Sequence, residues 1–319
     1  MNKGRPIVVT GSIAIDRIMS FNGRYVDHIL PDKIDVLSVS VFIDKLTDSY
    51  GGVGANIAYS LALLGEEPYL LGSVGKDAVS YMEHLALTGV NITHVHESSL
   101  PTASFNAFTD SDQNQISGFY PGAMFDSGTL SLSPWKNSNP IVIISPHDPK
   151  SMKMQVNECR RWGLKYCYDI GQQVSNAPAD DIYEGIETAE ILILNEYEIE
   201  TLSKRTDTPV DKIKDQVPIV ITTLGKIGSI IEGNTIKSPI KIGIAKPDNV
   251  VDPTGAGDAF RAGFFYGYSR SWELKDCAQL GAVCGSYAIE KTGTQDHIFS
   301  LDYVAKRYLD NFNEHLPKK

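Results

Sequence analysis

The second half of the chain alternates short apolar strands with helices, and this alternation constrains the fold more than any other feature. The strand patterns are short and continuously apolar, as expected of strands buried on both faces of a sheet. We therefore predict an α/β fold with a parallel sheet covered by helices. The predicted strands are 141–144, 165–170, 191–194 and 219–223, and the predicted helices are 150–162, 180–188, 196–204, 256–269, 273–291 and 301–312.

The first half opens with an apolar strand at 7–10 but then departs from this rhythm. Residues 21–50 contain short alternating segments, most clearly at 34–41, and no strong helical pattern. Further short strands are predicted between 92 and 119. Alternation of apolar and polar residues is typical of a half-exposed sheet, so a small sheet inserted into the main domain is expected here.

Composition excludes several classes of protein. The formal net charge is -10, so there is no basic excess to neutralise a nucleic-acid backbone. No signal-peptide pattern precedes the first strand, and no apolar run approaches membrane-spanning length. The four cysteines show no metal-type spacing. We expect a cytoplasmic protein with reduced thiols that binds neither nucleic acid nor membrane.

A glycine-rich stretch at 252–260, Asp-Pro-Thr-Gly-Ala-Gly-Asp-Ala-Phe, runs directly into a helical pattern. Amides at Gly255 and Gly257, at the positive end of a helix dipole, suit a phosphate. Asp258 in the first turn can then take a proton from a hydroxyl. The alternative is an ordinary capped helix start, in which the Asp258 carboxylate only interacts favourably with the positive end of the helix dipole.

A second glycine-rich stretch at 51–56, Gly-Gly-Val-Gly-Ala-Asn, also opens a helix. Its glycines let a ligand approach the backbone, and Asn56 can hydrogen-bond ligand hydroxyls; tight packing is the alternative explanation. Asp16 follows the first strand, where ligands sit in open α/β sheets, although an acid there can also cap a turn.

Two further patterns lie at predicted strand ends. Asn195 and Glu198 are three residues apart at a helix start, which fits either a capping box or a site for magnesium and its waters. Residues 222–228 carry Thr223, Gly225 and Gly228, which either receive the phosphates of a nucleotide or turn a hairpin. Five features that suit a ligand thus fall where strands end and helices begin: the two glycine-rich stretches, Asp16, the Asn195 and Glu198 pair, and residues 222–228. This coincidence favours an enzyme that binds a nucleotide. The signature of conventional P-loop or dinucleotide folds is absent from the sequence.

These stretches resemble the ribokinase (PfkB-type) family of sugar and nucleoside kinases over nearly the whole chain. Residues 51–56 resemble its N-terminal signature, and residues 252–260 resemble its highly specific C-terminal signature. Pro253 replaces the usual threonine and is associated with the bacterial-type adenosine kinase branch. Further stretches resemble that branch, at 11–16, 118–124, 172–173, 258–264 and 292–295.

The resemblance implies a Rossmann-like αβα sandwich spanning 1–319, with a β-sheet lid formed by about 17–50 and 91–120. It also implies phosphoryl transfer from ATP with Mg²⁺ to a primary hydroxyl, here the 5'-hydroxyl of adenosine, giving AMP for purine salvage. A broader nucleoside or sugar kinase is the alternative, and a non-catalytic ligand-binding protein on the same fold is another. Pairing through the lid in this branch implies a homodimer, and activation by a monovalent cation such as K⁺ occurs in the family.

The resemblance also assigns roles to individual residues. Asp258 would be the general base, with Gly255, Ala256 and Gly257 as the anion hole. Ser12, Asp16, Gly52 and Asn56 would bind the ribose, while Phe105 and Phe119 would stack on or wall the adenine. Asn195, Thr223, Gly225 and Gly228 would contact the nucleotide, and Asn195 and Glu198 would order magnesium through water. Arg261 would reach the phosphates or, equally, form a structural pair.

Overall fold

The computed structural model describes residues 4–128 and 130–317. Its strands are β1 Ile7–Thr10, β2 Ala14–Ser20, β3 Lys45–Gly51, β4 Tyr69–Leu71, β5 Ser73–Val74, β6 His96–Glu97, β7 Ala103–Thr109, β8 Gln115–Tyr120, β9 Ile141–Ile144, β10 Tyr166–Tyr168, β11 Ile191–Asn195, β12 Ile219–Thr223, β13 Ser229–Glu232 and β14 Ile240–Ile242. Its α-helices are α1 Tyr25–His28, α2 Val53–Leu63, α3 Val79–Thr88, α4 Pro149–Trp162, α5 Ala179–Glu187, α6 Glu196–Arg205, α7 Val210–Gln216, α8 Ala256–Ser269, α9 Leu274–Ala288 and α10 Leu301–Phe312.

The main sheet has the strand order β14-β13-β12-β11-β10-β9-β1-β4. Six neighbouring strands, from β12 to β4, are parallel, which confirms the predicted α/β sheet. The prediction missed α7, β13 and β14. The last two strands pair antiparallel at one end of the sheet, and residues 224–228 form the hairpin turn between β12 and β13. The carboxyl ends of the parallel strands meet at one edge, where ligands bind in such sheets.

Both faces of the main sheet are buried. Val142 and Ile144 pack into one core, while Ile141 and Ile143, which point the opposite way along the same strand, pack into the other. Each fully buried isoleucine contributes about 1.5–3 kcal/mol of hydrophobic stabilisation. The two cores hold the strand ends rigid and thereby fix the positions of the loops that follow them.

A separate four-stranded sheet has the order β3-β2-β7-β8. Strand β7 and nearly all of β3 and β8 lie within the segments in which an inserted sheet was predicted, whereas β2 precedes them. The predicted alternating segments at 34–41 were wrong, because Pro31–Val36 forms a 3₁₀ turn and 37–43 is irregular. Ile34 and Val36 are 61% and 75% exposed, so their alternation has no neighbouring strand or core to pack against.

Two smaller observations complete the fold. Cys159, Cys167, Cys277 and Cys284 are all buried free thiols. Within the described residues, none of the helices has the length and apolar character needed to cross a bilayer.

Candidate active site

Helix α8 begins at the carboxyl edge of the main sheet with a left-handed turn at Gly255. Its φ is +80°, and a Cβ there would lie 3.1 Å from the Cβ of Thr294, so a side chain would be both strained and crowded. The Gly257 and Asp258 amides have no hydrogen-bond partner in the described part of the chain. The helix start is therefore an open set of donors at the positive end of the dipole.

Asp258 lies in the first turn of α8, largely enclosed by protein. Its Oδ2 accepts a hydrogen bond of 2.8 Å from Nδ2 of Asn56 in α2. Burial raises the pKa of Asp258 to about 6, although Arg261 and the Asn56 hydrogen bond both act to lower it. A carboxylate with a pKa near the working pH, beside an anion-binding helix start, has the properties of a general base.

Arg261, one turn further along α8, points into the protein. Its Nη2 lies 2.7 Å from Oδ1 of Asp169, which is 0% exposed, and its Nη1 donates to the carbonyl of Gly257 at 3.0 Å. These contacts favour the structural alternative for Arg261 over direct phosphate contact. The bond to the Gly257 carbonyl also stabilises the backbone of the open turn from its buried side.

Asp16 lies on β2, with its carboxylate against the start of the second glycine-rich stretch, because a Cβ built on Gly51 would lie 2.4 Å from Asp16 Oδ2. Its carboxylate makes no hydrogen bond to any of the described residues, and burial raises its pKa to about 6. Directly paired residues on neighbouring strands share a face of the sheet, so Ser49, Asp16, Phe105 and Phe119 form one row across β3, β2, β7 and β8. This "inner row" places an unpaired acid next to two aromatic rings.

The second glycine-rich loop begins α2. Gly52 has a φ of +94°, and a Cβ there would lie 2.6 Å from the carbonyl oxygen of Ser12, so the loop packs directly on the segment after β1. Ser12 Oγ accepts a hydrogen bond of 3.0 Å from the amide of Val53. In this structure Ser12 therefore holds the loop, and Asn56, which is 4% exposed, holds Asp258.

Asn195 and Glu198 form the capping box at the start of α6. The Asn195 side chain accepts from the Glu198 amide, and the Glu198 side chain accepts from the Asn195 amide, each at 2.8 Å. The second Glu198 oxygen makes no hydrogen bond to the described residues. Burial, and to a lesser extent Asp169, raises the pKa of Glu198.

The ends of β11 and β12 are adjacent, because Asn195 pairs with Thr223 in the sheet. Gly225 and Gly228 follow with φ of +54° and +114° and form the hairpin turn. The hairpin alternative is thus observed. A role for this turn toward a nucleotide stays a prediction.

Three residues that matter here were given no role in the sequence analysis. Asp169 pairs with Arg261, and Thr294 and Gln295 contact Asn56. Asp169 had a readable signal, since it follows β10 at the carboxyl edge of the sheet. The other two lie in the 292–295 stretch, in a segment without regular structure, and sequence periodicity cannot place such a segment next to α2.

Comparison with known proteins places this geometry in a family. The family model for pfkB family carbohydrate kinases matches residues 10–299. A nucleoside kinase of Methanothermobacter thermautotrophicus is 31% identical over 317 residues, covering 97% of each chain.

Solved structures show the same fold. The nucleoside kinase of Burkholderia thailandensis in complex with inosine has a TM-score of 0.85 and 28% identity, with 97% of this chain and 99% of that chain covered. Arabidopsis thaliana ribokinase with ribose and ATP has a TM-score of 0.80 at 24% identity, covering 96% and 99%. The chain belongs to the PfkB family of carbohydrate kinases and is a nucleoside or sugar kinase with the ribokinase-like α/β fold.

Proposed function

We propose that this protein transfers a phosphoryl group from ATP to the ribose 5'-hydroxyl of a purine nucleoside, with adenosine, giving AMP, as the expected substrate. The observation that carries the proposal is the position of Asp258, a carboxylate with a pKa of about 6 in the first turn of α8 beside unpaired amides. One group accepts a proton and the others bind an anion. This is the pairing that phosphoryl transfer to an alcohol requires.

The roles of the chain's own residues follow from their positions. Asp258 accepts the proton of the attacking hydroxyl, and the amides of Gly255 and Gly257 stabilise charge on the phosphoryl oxygens. The Ala256 amide, which donates to the carbonyl of Pro253 at 3.3 Å, would join them only by exchanging that bond. Asp16 accepts hydrogen bonds from ribose hydroxyls. An unpaired, partly buried carboxylate with a raised pKa is suited to this, because neighbouring hydroxyl donors relieve its desolvation.

The inner row supports a nucleoside rather than a free sugar. Phe105 and Phe119 follow Asp16 along one face of the small sheet, and Phe119 is 49% exposed. A base attached to a ribose held at Asp16 can lie on these rings by aromatic stacking. We assign the small sheet, with the predicted segments 17–50 and 91–120, the role of a lid over the substrate.

ATP is the proposed donor, in keeping with an Arabidopsis thaliana ribokinase solved with ribose and ATP. Its phosphates would extend from Thr223, Gly225 and Gly228 toward α8.

Within the described residues no cluster of three or more His, Cys, Asp or Glu could ligate a metal directly. The free oxygen of Glu198, near Asp169 and Asp258, suits Mg²⁺ held through water and phosphate. The ion would supply charge neutralisation on the transferred group, and a monovalent cation such as K⁺ would be an additional activator.

A broader purine nucleoside range is the second candidate. The Burkholderia thailandensis enzyme was solved with inosine, and the similar proteins of Methanothermobacter thermautotrophicus and Methanocaldococcus jannaschii are named nucleoside kinases. Inosine and adenosine share the ribose that Asp16 would hold. They differ at position 6 of the base, which the aromatic rings of the inner row do not distinguish.

We further propose a homodimer through the opposite face of the small sheet. Leu46, Met19, Phe108 and Ile116 are paired across the four strands and form an apolar "outer row". Leu46 and Ile116 are 61% and 54% exposed, and a second copy would cover them. In size-exclusion chromatography with light scattering, the double variant Leu46→Asp, Ile116→Asp should have the molar mass of a monomer. The control Leu87→Asp, at an 89% exposed site on α3, should keep the molar mass of the wild type. A wild-type monomer would refute the dimer.

A substrate panel tests the proposed function. Coupled measurement of ADP release with MgATP should show turnover with adenosine, and with inosine if the range is broad, while ribose and fructose are poor substrates. Omitting the acceptor tests the non-catalytic alternative, because a binding protein would release no additional ADP when a nucleoside is added. Turnover with ribose or fructose but not with any nucleoside would overturn the proposal.

A further inference from the structure

A buried chain of side-chain hydrogen bonds leads from Asp258 into the interior, away from the open side of the site. Asn56 donates to Asp258 through Nδ2. On its other side, Oδ1 of Asn56 lies 2.9 Å from Nε2 of Gln295 and 2.9 Å from Oγ1 of Thr294. Asn56, Thr294 and Gln295 are each 4% exposed, so bulk water does not compete for these bonds.

The partners of Asn56 dictate which way its amide faces. The Gln295 amide nitrogen can only donate, so it requires the oxygen of Asn56 on its side. Rotating the Asn56 amide by half a turn would set an N–H group against the Gln295 N–H and an oxygen against the Asp258 carboxylate. Both contacts would be repulsive, and a buried polar group left without a partner is unfavourable by about 1–3 kcal/mol.

Tyr81 favours Nε2 of Gln295 on the side of Asn56, whereas Oε1 of Gln295 has no hydrogen-bond partner among the described residues. Nε2 of Gln295 lies 2.5 Å from the hydroxyl oxygen of Tyr81, and that hydroxyl donates to the carbonyl of Gly51 at 2.7 Å. Because the Tyr81 proton is committed to Gly51, its oxygen is available to accept from Gln295. Tyr81 is 1% exposed and stacks on Tyr50 with 4.3 Å between the ring centroids. The contact that favours this orientation is thus anchored in the core of the protein.

We propose that Gln295 is a positioning residue that keeps the Asn56 amide donating to Asp258. The inference rests on the proposed function, in which Asp258 is the base. Gln295 touches neither the substrate nor Asp258; it acts through Asn56. Keeping Oδ2 in this bond leaves Oδ1 to take the proton of the attacking hydroxyl.

Several charged groups also surround Asp258, and the test must separate their effects from that of Gln295. Arg261 lies on the same helix, Glu198 comes from α6, and Asp169 follows β10. Arg261 favours the charged form of Asp258, while Glu198 and Asp169 disfavour it. None of these groups is altered by replacing Gln295, so a change in the titration of Asp258 in such a variant reports the Asn56 contact.

The test compares Gln295→Met with Gln279→Met. Gln279 is also 4% exposed, but it binds Tyr308 through a 2.6 Å hydrogen bond between helices α9 and α10. Both variants lose a buried amide. We expect kcat to fall roughly tenfold in Gln295→Met only, as expected for one hydrogen bond to a charged group, with the KM for ATP unchanged. The acid limb of kcat/KM should move to higher pH, because a hydrogen bond that favours the carboxylate is weakened.

A double variant separates positioning from general destabilisation. If Gln295 acts through Asn56, then adding Gln295→Met to Asn56→Ala should change kcat less than about twofold. Independent losses that multiply, or equal activity in Gln295→Met and Gln279→Met, would overturn the proposal. Should Gln295→Met fail to fold, Gln295→Leu, which also removes the amide donor, takes its place, and full kcat with an unshifted acid limb there would also overturn the proposal.

A readout that needs no turnover separates this inference from the proposed function. The ¹³C titration of the Asp258 carboxyl, assigned with Asp258→Asn, should move to higher pH in Gln295→Met whichever substrate the enzyme uses. An unmoved titration contradicts the positioning role even if nucleosides are phosphorylated. A moved titration in a protein that phosphorylates no nucleoside contradicts the proposed function alone.

Discussion

Arg261 and Asp169 form a buried ion pair, with 2.7 Å between Nη2 and Oδ1, directly behind the open first turn of α8. The pair joins this helix to the end of β10 in the middle of the main sheet. The Arg261 guanidinium, although only one turn from Asp258, thus points toward Asp169 and away from the open side of the site. We therefore infer that this arginine holds the turn in place.

Breaking this pair should destabilise the fold more than it weakens ATP binding. Arg261→Met leaves Asp169 charged in a site that is 0% exposed, and such a loss is typically about 3–5 kcal/mol. Adding Asp169→Leu should recover part of the loss. Urea unfolding measures both, and Arg24→Met, which breaks an exposed arginine–aspartate pair, is the control with a much smaller expected change. A large rise in the KM for ATP without loss of stability would restore the phosphate role.

The raised pKa of Asp258 makes stability depend on pH. Because the folded-state pKa of about 6 lies above the ordinary carboxyl value of 3.8, the neutral form is favoured by folding, and this contribution is lost as the pH rises from about 4 through 6. Asp258→Asn removes the buried charge and keeps the shape. We expect the variant to be more stable than the wild type at pH 8, by up to about 3 kcal/mol, with the difference disappearing toward pH 4. Thermal unfolding across this range checks it, and equal stability at pH 8 would count against the raised pKa.

Gly255 should be required for more than its backbone conformation. Gly255→Ala places a Cβ at a positive φ and 3.1 Å from Thr294. Gly65→Ala is the matched control, since Gly65 has a φ of +88° and nothing within 4 Å of a built Cβ. Both should lose about 1–2 kcal/mol of stability, but only Gly255→Ala should lose kcat, by roughly 100-fold, because the anion-binding amides move. Equal kcat in the two variants would remove Gly255 from the anion hole.

The two faces of the small sheet should respond differently to the same substitution. Phe119→Leu removes a ring from the inner row, and we expect the nucleoside KM to rise roughly tenfold, as for the loss of one stacking contact. Phe108 is 38% exposed but belongs to the outer row, so Phe108→Leu should leave the nucleoside KM unchanged. Steady-state kinetics with adenosine or inosine distinguishes the two. Equal effects would place the base elsewhere.

The sequence predicted correctly those elements whose position in the fold leaves a local pattern of residues. The parallel strands were readable because burial on both faces makes them continuously apolar, and α8 was placed at its observed bounds, Ala256–Ser269, because its glycine-rich start is distinctive. The capping box of Asn195 and Glu198 was weighed as one of two alternatives, and the structure contains it.

The features that sequence reasoning missed depend on long-range neighbours. A hairpin at 222–228 was weighed from its glycines, but the short strands β13 and β14, which add antiparallel pairing at one end of a parallel sheet, were not predicted. Residues 34–41 alternate as a strand would, yet none of the described strands includes them or pairs with them. Asn56 was assigned to ligand hydroxyls, whereas its contact with Asp258 joins residues 202 positions apart and becomes visible only in three dimensions.

The central claim is that Asp258 is the base for phosphoryl transfer to a nucleoside 5'-hydroxyl, and the turnover of Asp258→Asn tests it most directly. Measured with saturating MgATP and the best nucleoside of the panel, kcat should fall by roughly two to four orders of magnitude, while calorimetric ATP affinity stays within a few-fold of wild type. Turnover close to that of the wild type would contradict the assignment of Asp258 as the base.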